Sequence, residues 1–380
     1  MDSTYTLIET REALQEVLPL LKAADRVGVD LEADSMFHFK EKVCLIQLAI
    51  DTGNFVLDPL SIGDLSCLGP VFANPGICKV FHGADYDVRS LFRDFGFTVE
   101  NLWDTELATR FLGCRASGLN AVLKERFGVC LDKKYQKKDW SQRPLSPEMI
   151  AYAAEDTRYL LALSRELESE LAARGRLEWV AEECHLLQQV RAQEGEERPL
   201  FLRFKGAGRL DRRSLAVLES FLEFRMEIAE KKDKPLFKVL GGEPLLRLAQ
   251  LRPRTMEAMR DTNSLSPRQL SMFGSSLLDC IHGAMAIPDA SLPVYPRSKA
   301  LRIKPQVALR IKVMKEWRDR LAEELSLDPA LLCNKSLLTK LAQCRPTSME
   351  ELSKIGDMRK WQRELLGEGL LRVLEEPGLF

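Results

Sequence analysis

The stretch Arg26–Ser35, RVGVDLEADS, constrains this chain more than any other. Its apolar run reads as a buried strand, yet Asp30 and Glu32 lie inside it. Side chains two apart on a strand point the same way, so both carboxylates crowd one face. Burying one unpaired carboxylate costs several kcal/mol, and two like charges side by side cost more. A fold that keeps this strand must therefore supply a cation, a metal ion or a solvent-filled cleft.

The neighbouring segments place the strand in an α/β half. TREALQEVLPLLKAA is amphipathic at helical spacing, VCLIQLAI and GNFVLD are strand-like, and ICKVFHGA is a further candidate strand. Helical patterns dominate from Tyr86 onward, broken by Gly96, Gly113, Gly118 and Gly128. The polar, glycine-bearing stretch near residues 190–206 reads as a linker, and every segment beyond it reads as helix. Within that helical part Leu248–Met259 (LAQLRPRTMEAM) resembles Leu341–Leu352 (LAQCRPTSMEEL) at an offset of 93 residues. Phe224-Arg225 match Trp317-Arg318 at the same offset. Two copies of one small helical domain are expected, giving domains at 1–190, 206–287 and 298–380, as the chain length of 380 residues allows.

Several function classes are excluded at this level. No apolar run approaches the roughly 18 to 20 residues of a membrane span, and the N-terminus lacks the layout of a signal peptide, so a cytoplasmic protein is expected. Nine cysteines include no CxxC pair, and His38, His82, His185 and His282 are isolated, which indicates neither a zinc site nor a disulfide framework. The net charge of −1 conceals a division: residues 1–200 carry −10 and residues 201–380 carry +9. Solvated helix faces explain such a split, and so does an enzyme that gathers cations in one half and a polyanion in the other.

Three more places hold acids where apolar residues would be expected. KVFHGADYDVRSL puts Asp85 and Asp87 after a strand, NLWDTELATRFLG puts Asp104 at a helix start, and SPEMIAYAAEDTRYLL stacks Tyr152 and Asp156 at i and i+4. Singly, each has a structural explanation: Asp104 and Asp85 suit helix N-caps, and Tyr152 with Asp156 suits a structural hydrogen bond. Together, Asp30, Glu32, Asp87 and Asp156 make four carboxylates with a tyrosine hydroxyl beside them. Carboxylate oxygens are preferred ligands of Mg²⁺ and Mn²⁺, and a two-ion site clamps both oxygens of an in-line phosphate displacement.

The order Asp-x-Glu, HGADYD, WDTELATRFLG and Tyr-x-x-x-Asp resembles the tyrosine-bearing subgroup of the DEDD 3′ to 5′ exonucleases. KKDWSQRPL through AAEDTRYLL is similar to the ribonuclease D family, whose longer members carry two helical HRDC domains like the repeat found here. The resemblance implies a ribonuclease H-like domain, a mixed sheet flanked by helices, followed by two all-α domains. It implies that Asp30 bridges two divalent ions, that Glu32 and Asp156 complete the first, and that Asp87 holds the other largely through water. Asp85 competes for that last role. The implied activity is release of 5′-mononucleotides from RNA 3′ ends, transfer RNA precursors and other small structured RNAs among them, with no membrane and no obligate protein partner. Tyr152 would orient the attacking water, since a phenol with an ordinary pKa near 10 is a poor base at neutral pH. The same site acting on DNA, and a catalytically silent RNA-binding protein, remain the alternatives.

Substrate contacts are expected from the basic loop Lys133, Lys134, Lys137, Lys138 and Arg143, interleaved with Tyr135 and Trp140. Cations meet phosphates and aromatic faces stack on bases, although a solvated loop has the same composition. Between Asp289 and Glu316 lie Arg297, Lys299, Arg302, Lys304, Arg310, Lys312 and Lys315 with no acid among them, either a solvated face or a surface for structured RNA. Phe37, His38 and Phe39 follow the Asp-x-Glu strand closely enough to grip a terminal nucleotide or to join the core. His82 is expected as a bonded, partly buried histidine and not as a ligand of a hard cation.

Overall fold

The computed structural model describes residues 5–192, 199–296 and 304–375. They fall into two compact units. The first holds the described residues up to Ala33, those from Lys42 to Ala192 and those from Lys304 onward; the second holds Asp34–Glu41 and the described residues from Pro199 to Pro296.

The first unit is built on a six-stranded mixed sheet in the order β1-β4-β3-β2-β5-β6. Its strands are β1 Thr6–Ile8, β2 Arg26–Ala33, β3 Val43–Ile50, β4 Gly53–Leu57, β5 Cys78–Phe81 and β6 Leu102–Asp104. β3 runs antiparallel to β2 and β4, whereas β1 with β4, β2 with β5 and β5 with β6 are parallel. Helices of seven residues or more in this part are α1 Arg11–Ala23, α2 Asp85–Phe95, α3 Thr105–Phe111, α4 Leu119–Phe127, α5 Pro147–Arg158, α6 Leu160–Ala173 and α7 Leu177–Leu187. All eight residues of β3 are buried, as befits a central strand covered on both faces. On β2 the alternation is strict: Val27, Val29 and Leu31 enter the core, and Gly28, Asp30 and Glu32 take the opposite face. β1 and β6 were not expected; three residues are too few to show a period.

The helical repeat is real at the level of atoms. The second unit carries α8 Arg212–Lys231, α9 Gly242–Leu251 and α10 Pro267–Ala286, and the C-terminal part of the first carries α11 Pro305–Glu324, α12 Lys335–Cys344 and α13 Lys360–Glu375. α9 and α12 each end on a left-handed arginine, Arg252 (φ 50°) and Arg345 (φ 47°). Each arginine is followed by proline and then by a capping Thr255 or Ser348 that accepts from the backbone N–H three residues on. Arg225 donates to Leu240 O at 3.3 Å, and Arg318 donates to Cys333 O at 2.6 Å, the same bond 93 residues later. Met256 and Met349 likewise cover Gly274 and Gly367, each methyl 2.7 Å from where a Cβ would stand. A side chain at either glycine would collide with that methionine.

The two copies have different settings. Trp361 of α13 stacks on Trp179 of α7 with 5.1 Å between centroids, its indole N–H donates to Glu183 at 3.1 Å, and Arg359 pairs with Glu183 at 3.2 Å. The first copy takes up Asp34–Glu41 instead. The expected linker is shorter than its composition suggests: Phe201 is buried among the helices, and Glu219 accepts from the amides of Leu200 and Phe201 at 2.7 and 2.8 Å. Residues 193–198 of that linker, and Arg297, Lys299 and Arg302, lie outside the described residues.

Asp104 is the N-cap expected of it and more. Its buried carboxylate accepts from Glu106 and Leu107 at the start of α3, and from Gly83 (φ +81°) and Ala84 in the turn after β5. Those four bonds fix the turn from which α2 departs. Asp85 is not a cap, because Ala84 holds that position; it is exposed and pairs with Arg89 at 2.8 Å. Asp104→Ala is expected to cost about 2–4 kcal/mol, through loss of the cap and orphaned amides, and Asp85→Ala under about 1 kcal/mol. Urea unfolding of both variants checks this, and equal midpoints would contradict it.

Candidate active site

Gly28 lies at the base of the site. A Cβ there would already stand 3.4 Å from Leu160 Cβ, 3.5 Å from Ala49 Cβ and 3.5 Å from Thr157 O, so the α5–α6 junction lies directly on β2. Asn54 of β4 fastens the same junction, donating to Ala154 O at 2.6 Å and accepting from the Thr157 hydroxyl at 3.1 Å. This close approach sets Asp156 over the face that carries Asp30 and Glu32. One carboxylate oxygen from each of the three can be chosen so that all lie within 4.8 Å of one another. Asp87, in the first turn of α2, stands outside that group, but its charge acts on both Asp30 and Glu32.

The electrostatics are those of an uncompensated cluster. Burial, then the charges of Asp156 and Asp87, hold the Asp30 and Glu32 carboxyls well above the usual carboxylate range, with Glu32 adding to the effect on Asp30. Burial and Asp104 do the same to Asp87. Burial, with Glu155 beside it, pushes Asp156 up to about 7. Among the described residues none of the four is salt-bridged. Four oxygen donors, no nitrogen or sulfur ligand and no protein cation form a set suited to a hard divalent ion. Asp85, spent on Arg89, is the poorer choice of the two acids in HGADYD.

Tyr152 is positioned by aromatic packing. Trp140 stacks on its ring at 6.0 Å and 30°, and Tyr135 meets its edge at 5.7 Å and 68°. Burial, followed by the charges of Asp156, Glu32 and Asp30, pushes the phenol above its ordinary pKa, so it keeps its proton at neutral pH. The cleft between these groups has a volume of about 440 Å³ and is also lined by His82, Asn120 and Lys133. His82 Nδ1 lies 2.9 Å from Thr105 Oγ1 and burial lowers its pKa, but its buried Nε2 has no hydrogen-bond partner, so the histidine expected to be fully bonded is bonded at one nitrogen only. A second hollow of about 740 Å³ shares Tyr152 and Asp156 and is bordered by Lys134, Tyr135, Arg158 and Tyr159.

Two members of the expected contact surface are corrected. Trp140 is buried beneath Tyr152 and offers no face to a base. Arg143 is committed to Asp58, with two bonds of 2.6 Å, and to the carbonyls of Trp140 and Cys44 at 2.7 and 3.0 Å. Both hold the loop down. Lys133, Lys134, Lys137 and Lys138 are exposed, and only the first two line the hollows. Phe37, His38 and Phe39 belong to the second unit: Phe39 packs with its core, His38 Nδ1 lies 2.6 Å from Asp233, and Lys238 sits over Phe37 at 4.1 Å. Missed at the sequence level were Gly28, Asn54 and the clamp on Tyr152. The adjacency of Gly28 to Asp-x-Glu at strand spacing was the only available hint.

Residues 5–172 match the family described as 3′-5′ exonuclease, and residues 214–281 and 309–374 match the HRDC domain. The chain is 31% identical over 371 residues to ribonuclease D of Acidiphilium cryptum, spanning 97% of this chain and 92% of that protein. It is similar to the crystal structure of Escherichia coli RNase D, an exoribonuclease involved in structured RNA processing, with TM-score 0.75, 26% identity and coverage of 98% and 99%. The catalytic core of RRP6 from Trypanosoma brucei matches with TM-score 0.65 and 29% identity over 74% of this chain and 79% of that one.

The raised carboxyls carry a pH signature. A group that binds its proton more tightly when folded loses stability as pH rises from its unfolded value to its folded one. For Asp156 that window runs from 3.8 to about 7. Without divalent ions, stability is expected to fall across it by a few kcal/mol, at about 1.4 kcal/mol per pKa unit. At pH 8, Mn²⁺ at 100 times its dissociation constant should restore about 2.7 kcal/mol. Thermal melts at pH 5 and 8, with chelator or Mn²⁺, measure both; identical melts at pH 8 would contradict the cluster's need for a cation.

Proposed function

The chain belongs to the ribonuclease D family, and from that premise we propose that Asp30, Glu32, Asp87 and Asp156 hold two divalent cations, Mg²⁺ or Mn²⁺, beside Tyr152. The protein is a 3′ to 5′ exoribonuclease, and its exonuclease fold implies dependence on divalent metal. The observation that supports the proposed ligand set is the convergence of three uncompensated carboxylates within 4.8 Å on one face of β2. When bound, such ions lower the pKa of a nearby water and offset charge on the leaving oxygen.

The protein's own groups do the rest. Asp30 and Glu32 are fixed by the strand, Asp156 by the helix seated on Gly28, and Asp87 by the turn that Asp104 closes. Tyr152, protonated and held between two aromatic rings, orients the attacking water by a hydrogen bond and does not take its proton. Lys133 at the cleft rim meets a backbone phosphate, and Lys134 with Tyr135 extends that contact along the strand. The helical domains, 206–287 and 298–380, add affinity for structured RNA, transfer RNA precursors among them. The exposed Lys304, at the N-cap of α11, and Lys312 and Lys315, on it, are suited to that role, whereas Arg310 donates to Ala342 O at 3.1 Å. No helix among the described residues is long and apolar enough to cross a membrane, and a cytoplasmic site of action is part of the proposal.

Matched RNA and DNA oligonucleotides labelled at the 5′ end, incubated with Mg²⁺, Mn²⁺ or chelator, test this reading. A metal-dependent ladder from the RNA 3′ end, lost in Asp30→Asn and slowed roughly 10²-fold in Tyr152→Phe with Mn²⁺ binding retained, is expected. Equal shortening of DNA would remove the preference for RNA. An intact label in every lane would leave an RNA-binding protein without turnover.

A further inference from the structure

β3 reads VCLIQLAI and is buried throughout, yet its centre is an amide, Gln47. The residue is 0% exposed, and neither its oxygen nor its nitrogen has a hydrogen-bond partner. A buried, unsatisfied polar group costs about 1–3 kcal/mol, and a leucine or methionine would fill the same space without that penalty. Retention of an amide here calls for a ligand or side chain that it satisfies in another state of the protein.

Register names that side chain. Gln47 is the residue directly opposite Asp30 in the β2–β3 ladder, between the pairs Gly28–Ala49 and Glu32–Leu45. Directly opposed residues share a face with Cβ atoms about 4.5–5.5 Å apart, within reach of a glutamine amide. The face they share is the one covered by α5, where a Cβ at Gly28 would touch Ala49 and Leu45 packs with Ile150 and Ala153. Asp30 is the central member of the carboxylate cluster and feels the charges of all three other acids. Its charged form lacks any donor from a described side chain.

We propose that Gln47 is a positioning residue for the metal centre: when a divalent cation occupies the cluster, the Gln47 amide donates a hydrogen bond to the Asp30 carboxylate and fixes its orientation toward the ion. The inference rests on the metal-binding reading of the cluster given above. It explains why an otherwise apolar strand carries an amide directly opposite Asp30. Residues that orient a metal ligand in this way typically contribute 10- to 100-fold to metal affinity.

Gln47→Met, which keeps length and volume while deleting both polar atoms, separates this role from a structural one. Mn²⁺ binding followed by electron paramagnetic resonance, thermal melts in chelator, and kcat and KM on a single-stranded RNA are measured for the full-length protein, the variant and Asp30→Asn. The expected result has opposite signs: the variant melts at or above the wild-type temperature in chelator, yet binds Mn²⁺ 10- to 100-fold more weakly. Its kcat falls at fixed, subsaturating Mn²⁺, recovers toward wild type as Mn²⁺ is raised, and KM for RNA is unchanged. A variant that melts lower but binds Mn²⁺ like wild type would overturn the proposal and leave Gln47 as packing. Unchanged values throughout would overturn it equally. If the wild-type protein and Asp30→Asn bind Mn²⁺ alike, the metal-site reading itself fails, and the role of Gln47 falls with it.

Discussion

Repulsion among carboxylates on one face of β2 is the constraint on which the rest of the first unit depends. Asp30 and Glu32 are fixed on that face by strand geometry, and their charge has to be met by something other than the protein, since no described lysine or arginine pairs with them. The surrounding elements bring further acids toward them. α5 settles on the sheet over Gly28 and delivers Asp156. The turn after β5, closed by four bonds to Asp104, delivers Asp87. A fold selected for stability alone would separate these groups or pair them with cations; this one holds them together, as the proposed cation site requires.

The neighbouring supports follow from the same demand for fixed geometry. Tyr152 lies between Trp140 and Tyr135, and Arg143 pins the intervening loop to Asp58 and to the β3 carbonyl of Cys44. Two aromatic contacts restrict the swing of the Tyr152 ring, as the orienting role proposed for the phenol requires. The lysines of the same loop stay in solvent, where long flexible cations meet a polyanion without a matched geometry. One segment thus turns its apolar and arginine side chains inward and leaves its ammonium groups outward, open to the contact proposed for them.

Much of this was legible in the sequence because it is local or periodic. Asp-x-Glu in an apolar run, Tyr and Asp one helical turn apart, and a repeat at an offset of 93 residues each follow from spacing, and the repeat extends to the bonds of Arg225 and Arg318 and the packing of Met256 and Met349. What was not legible depends on which way a side chain turns or on which distant segment it meets. Trp140 and Arg143 stand among lysines in the chain, but their direction is set by Tyr152 and Asp58. Phe39, seven residues after Glu32, joins the core of a helical unit built mainly from residues beyond 199. β1 and β6 exist because a neighbouring strand offers them bonds, not because three residues prefer to be extended.

Anomalous scattering from crystals of the full-length protein grown with Mn²⁺ tests the central claim most directly. The account predicts two peaks at this cluster, one bounded by Asp30, Glu32 and Asp156 and a second on the side of Asp87, with all four carboxylates turned toward them. No Mn²⁺ at these residues, with the four carboxylates satisfied instead by protons or by protein donors, would contradict it.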